Sequence, residues 1–154
     1  MSSVTISVVH VDVVGPVDAV QDFSATYSAL VRASIADGRG IEVPYAGDGV
    51  TAVYPSLGAA LDSAVAVQQG IERHNREAPV PIGVRVGLSS GDATEDNGRY
   101  TGEPVEEAVR LCATAAAGQI VTTEMVRLLA RRTEHSFAPL GERSVHGLPE
   151  AVEA

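Results

Sequence analysis

The chain runs to 154 residues, 45% of them hydrophobic, which suits one domain built round a single core and argues against a disordered segment. A formal net charge of −9, with the basic residues scattered instead of clustered, disfavours nucleic acid and membrane surfaces as partners. Four Tyr, two Phe and no Trp leave the core to Val, Ala, Leu and Ile, which fits helices laid on a sheet and offers little for stacking bases.

Val4 to Val14, "VTISVVHVDVV", is dense in β-branched residues and stops at Gly15-Pro16, so it reads as a buried strand ending at a turn. Pro16 suits the first position of a helix, and Ala19, Phe23, Tyr27, Leu30, Val31 and Ile35 give that helix one apolar face before "ADGRG" ends it. "IEVPYA" and "VTAVY" then pair as a hairpin through Gly47-Asp48-Gly49, because Asp and Gly tolerate the positive φ of a tight type I′ turn. On this stretch by itself, the aspartate needs no chemistry to explain it.

A second helix covers about Ser56 to Arg76, with Leu57, Ala60, Leu61, Ala64, Val67 and Ile71 on one face. "PIGVRVGLSSGDA" alternates as a strand, and "TEDNGRYTG" reads as a polar, glycine-containing loop. "EPVEEAVRLCATAA" is helical, "GQIVTT" a short strand and "EMVRLLARR" a short helix, and Phe137 to Ala154 closes the chain as a hairpin with a run-out. The order βαββαβ followed by more helix and strand predicts one α+β domain over residues 1–154, a mixed antiparallel sheet of the split-βαβ, ferredoxin-like kind with helices packed on it. The first strand-to-helix turn, "VGPVDAV", lacks the G-x-G-x-x-G of dinucleotide folds, and there is no P-loop.

The lone cysteine, Cys112, lies in an apolar helical run and reads as a small buried thiol in a reducing compartment. No segment is apolar and long enough to span a bilayer, and no basic-then-apolar leader opens the chain, so a cytoplasmic location is expected.

Two acidic residues interrupt apolar strand ends, Asp12 and Asp48. If the first strand lies beside the hairpin, both carboxylates reach one edge of the sheet, and converging hard oxygen ligands are what Mg²⁺ requires. Paired carboxylates also perform general acid-base chemistry, although nothing in the chain points to sugar binding. His10 shares the strand face of Asp12 and reads as a buried, hydrogen-bonded ring, since one histidine does not make a zinc site. Ser89-Ser90 lacks a histidine-acid partnership at a recognisable spacing.

"VDVVG", "YAGDGVTAVY", "IGVRVGLSSGDA", "YTGEPVEEAVRLCATAAAGQIVTTE" and "LGERSVHGL", in this order, resemble the catalytic domain of class III nucleotidyl cyclases, the adenylate and guanylate cyclases, over essentially the whole chain. The resemblance implies the fold of that family and a homodimer, or a heterodimer with a cyclase-like chain, with composite sites for a nucleoside triphosphate. It implies two metal ions, Mg²⁺ or Mn²⁺, at Asp12 and Asp48 with Val13 beside them, and a phosphate-cradling turn at Val14 and Gly15. The family reaction is attack of the ribose 3′ oxygen on the α-phosphate with release of pyrophosphate.

The recognition half departs from the family. Pro44 stands where similar domains carry a lysine that reaches the purine, and it can donate nothing. Arg99 replaces an Asp or Thr that contacts the base, and Glu106 replaces the asparagine that orients the ribose, which brings an anion toward a polyanionic substrate. Arg110 matches the transition-state arginine, though an intrahelical pair with Glu106 could absorb it. His146 lies near the position of a late phosphate-assisting lysine, and the chain contains no lysine at all. Pro16 removes one N–H from the phosphate cradle. The expectation is a divergent cyclase-like domain, catalytically impaired, that binds a metal-nucleotide as a regulatory or interaction module; the alternative is an active cyclase using another base or a lysine-bearing partner.

Overall fold

The computed structural model describes residues 2–14, 17–43, 49–77, 81–130, 136–139 and 149–153, with side chains for all of these except 17–26, 136, 138–139 and 149–153. Strand β1 (Ser2–Val14) leads to α1 (Val17–Asp37), then β2 (Ile41–Val43), β3 (Val50–Tyr54) and α2 (Leu57–Asn75). There follow β4 (Gly83–Asp96), β5 (Arg99–Thr101), α3 (Glu103–Thr114), β6 (Ile120–Thr123), α4 (Glu124–Leu129), β7 (Ser136–Pro139) and β8 (Pro149–Glu153). One sheet runs in the order β2-β3-β1-β4-β6-β8-β7, with β5 also on β4. The β4–β6 pair is parallel, and β1 pairs antiparallel with both β3 and β4. The mixed sheet with packed helices is the α+β architecture expected from the sequence.

Alternation along β1 sorts the core onto two faces. Val9 and Val11 point with Ala52, Tyr54, Val84, Val86 and Leu88 toward α1 and α2, which supply Val31, Ile35, Leu61, Ala64 and Val67. Ile6 and Val8 point the other way, with Val53 and Ala93, against Val105 and Ala108 of α3. Of the apolar stripes read from the sequence, Tyr27, Val31 and Ile35 of α1 and Ala60, Leu61, Ala64, Val67 and Ile71 of α2 are buried, and Leu30 and Leu57 are partly so. Helix α2 begins on an N-cap, Ser56, whose Oγ accepts from the Ala59 N–H at 3.3 Å.

Two local expectations change. The stretch read as a polar loop, "TEDNGRYTG", is a hairpin: Thr94, Glu95 and Asp96 extend β4 and pair with Thr101, Tyr100 and Arg99. Its turn is Asn97-Gly98, with φ of 51° and 79°, the positive values that the strand twist demands of a two-residue turn. The β2–β3 hairpin forms, but in a register that places Val43 opposite Thr51, so residues 44–50 separate the last paired positions and the connection is longer than a two-residue Asp-Gly turn.

Candidate metal and nucleotide site

Three elements meet at the acidic end of β1. Asp12 shares a strand face with His10, and the β1–β4 register sets Asp12 directly opposite Arg85. The Arg85 Nη2 donates to Asp12 Oδ2 at 2.9 Å, and Asp12 Oδ1 accepts from the Val13 N–H at 2.9 Å, so both carboxylate oxygens are engaged. The pair is half-buried, with side-chain exposures of 31% for Arg85 and 22% for Asp12. The bond to Asp12 pushes the guanidinium further above its ordinary range. Its Nη1 reaches the Ala113 carbonyl at 3.4 Å, while its Nε is buried and has no hydrogen-bond partner among the described residues.

His10 is buried, and its Nδ1 meets Thr51 Oγ1 at 2.7 Å, the role expected for it. Tyr27 Oη donates to the Val11 carbonyl at 3.3 Å from the opposite face, and burial and then the Asp12 charge push its phenol up. Gly49 lies against β1: at φ 96°, a Cβ there would fall 2.5 Å from the Val11 carbonyl oxygen and 2.9 Å from His10 Nε2. The neighbour of Asp48 therefore packs on the neighbour of Asp12. Asp48 itself, with Gly15, Pro44 and His146, lies outside the described residues.

As a metal centre, the described residues offer one hard oxygen donor group. No group of three or more His, Cys, Asp or Glu side chains gathers among them. Each Asp12 oxygen keeps a lone pair after its one hydrogen bond, so the carboxylate fits as a ligand, in competition with the guanidinium beside it. Val13 follows it half-buried, and Val14 ends the strand 38% exposed.

The other named residues sit elsewhere. Helix α3 lies along β4, with Pro104 against Gly91 and Ala108 and Cys112 against Gly87. Arg110, on its outer side, pairs with Glu103 of the same helix through Nη2 and Oε1. Glu106 is exposed on the same face, one turn from each. Arg99 is exposed on β5, opposite Asp96, whereas Arg85 is near the start of β4; at ~3.3 Å per residue the two stand roughly 35 Å apart along the strand. Within one chain, Arg99 and Asp12 do not form a single pocket.

Sequence reasoning missed Arg85. Its signal was a lone charged residue in an alternating apolar strand, which becomes informative only once the register sets it against Asp12. It also missed Glu107, 8% exposed beneath α3, whose Oε1 accepts from Ser89 Oγ at 2.5 Å. Ser90 Oγ donates to the Ile6 carbonyl at 3.2 Å, so both serines of that pair serve structure. Among the described residues, no helix is long and apolar enough to cross a membrane.

No family model matches the chain. It is 28% identical over 130 residues to the serine/threonine-protein kinase pkn2 of Myxococcus xanthus, which covers 83% of this chain and 16% of that protein. The chain thus spans less than a fifth of the curated relative it matches. Among solved structures it matches an adenylate/guanylate cyclase/hydrolase from Silicibacter pomeroyi with a TM-score of 0.85 and 25% identity, over 99% of this chain and 96% of that one. The adenylyl cyclase CyaB from P. aeruginosa has the same fold, with a TM-score of 0.80 and 18% identity over 99% and 95% of the two chains.

Proposed function

Starting from a chain that is a divergent relative of the class III adenylate/guanylate cyclase domains, we propose that it has lost turnover and serves as a regulatory or interaction module that binds a metal-nucleotide weakly. Asp12, Asp48 and the backbone at Val13 would hold Mg²⁺ or Mn²⁺, with Val14 and Gly15 beside the phosphates. The chemistry such a metal supplies is neutralisation of phosphate charge and activation of the ribose 3′ oxygen. Support for a shared rim comes from Gly49, which rests on Val11 one residue from each candidate ligand.

The observation that carries the loss of turnover is Arg110. It matches the residue that stabilises the transition state in similar domains, and here Glu103 of its own helix holds it. Pro44, Arg99 and Glu106 then replace a donor, an acceptor and a neutral amide, and His146 replaces a permanent cation. Losing one such contact to a transition state costs about 10² to 10³ in rate, and several rarely cancel. The likeness to a small part of a serine/threonine-protein kinase is in keeping with a module that regulates a signalling chain.

Purified protein incubated with each nucleoside triphosphate and Mn²⁺ is expected to yield no cyclic nucleotide, and calorimetry with a non-hydrolysable triphosphate and Mn²⁺ to register weak binding. Robust cyclic product from the isolated chain would refute the proposal. One observation favours a second reading: a sequence with no lysine keeps the metal-side aspartates. Such a chain would suit the metal half of a heterodimer whose partner supplies the lysine, and cyclic product appearing only on mixing with a lysine-bearing cyclase chain would select it.

A further inference from the structure

Resting on the reading that Asp12 binds a divalent cation, we propose that the Arg85 guanidinium is a tethered cation at Asp12 which a metal must displace in order to bind. The Val13 N–H holds Oδ1 and Arg85 is hydrogen-bonded to Oδ2 at 2.9 Å, so a metal entering at either oxygen meets the guanidinium on the same carboxylate. Two positive charges on one carboxylate repel each other at this range, so each weakens the hold of the other. The guanidinium is placed to move. Its one strong contact is Asp12, the Ala113 carbonyl lies at the limit of hydrogen bonding at 3.4 Å, and the buried Nε has no partner among the described residues. It engages the carboxylate through a single nitrogen and not through two parallel bonds, so less holds it there.

Metal affinity is therefore set by an internal competitor as well as by the ligands. Arg85→Gln removes that competitor and its charge, and is expected to tighten Mn²⁺ binding about tenfold. Arg85→Lys, which keeps the charge on a more mobile stem, should fall between this variant and the parent chain.

The test titrates Mn²⁺, without nucleotide, into the full chain, Arg85→Gln, Arg85→Lys, Asp12→Asn and the Arg85→Gln/Asp12→Asn double variant, with circular dichroism reporting the fold of each. A second measurement, independent of any variant at Arg85, follows the Arg85 Nε–Hε resonance of the parent chain as Mg²⁺ is added; it should shift, and should stay fixed in Asp12→Asn. Tighter Mn²⁺ binding in Arg85→Gln that vanishes in the double variant supports the proposal. Asp12-dependent binding that Arg85→Gln leaves unchanged or weakens, with an unmoved Nε–Hε resonance, overturns the competition and leaves Asp12 as a ligand. Absence of Asp12-dependent binding in both the parent chain and Arg85→Gln overturns the metal reading itself, and the competition with it.

Discussion

Cys112 shows how packing settles the chemistry of a single side chain. Its thiol is buried at the seam between α3 and β4 and donates to the Arg85 carbonyl at 3.4 Å, and burial pushes it up to about 12 despite the opposing charge of Arg85. A thiol held protonated is a poor nucleophile, so Ellman's reagent should leave the folded chain untouched near neutral pH. The same shift makes a stability prediction. In the unfolded chain the thiol ionises near its ordinary value of 9.0, whereas in the folded chain it keeps its proton to about 12. The folded state therefore binds more protons across that window, and stability falls as pH rises through it. Tyr27, also pushed up by burial, adds a loss of the same sign at higher pH. The urea midpoint should drop as pH rises from about 9 toward about 12, and Cys112→Ala should flatten that drop.

At the scale of elements, the docking of α3 depends on a missing side chain. A Cβ on Gly87 would lie 2.0 Å from the Ala108 carbonyl oxygen and 2.4 Å from the Cys112 nitrogen, both backbone atoms that cannot rotate aside. Gly87→Ala should push the helix off the sheet and cost about 3 kcal/mol, read as a lowered midpoint in chemical denaturation. Because Ala113 of the same helix touches Arg85, the substitution should also disturb the Arg85–Asp12 pair. The β4–β5 hairpin is the element the sequence misled on. Thr94 to Thr101 is polar on both faces and so shows no buried alternation, and the Asn97-Gly98 turn signal was absorbed into a loop.

Across the whole molecule, the sheet separates the groups that the proposed chemistry needs together. Asp12 ends one side of the long β1–β4 ladder and Arg99 lies beyond its far end. A nucleotide cannot touch both in one chain, so the proposed composite site requires a second, antiparallel copy or a cyclase-like partner. Sedimentation at tens of micromolar should find a species of about twice the 15.9 kDa chain mass if the partner is a second copy. A monomer at every concentration would leave a different chain as the only source of the missing half.

Local periodicity was enough to determine the elements of this protein other than the β4–β5 hairpin, because a 3.6-residue stripe in α1 and α2 and a two-residue alternation in β1 and the first half of β4 are properties of neighbours along the chain. The same holds for the two acidic interruptions and for the donors lost from the recognition half, which are matters of residue type. Partners across the sheet were decided only by the fold. That Arg85 faces Asp12 and that Ser89 meets a buried Glu107 depend on register and on how closely α3 approaches β4. Those quantities come from distant segments packing together, where a shift of one residue would exchange every pair.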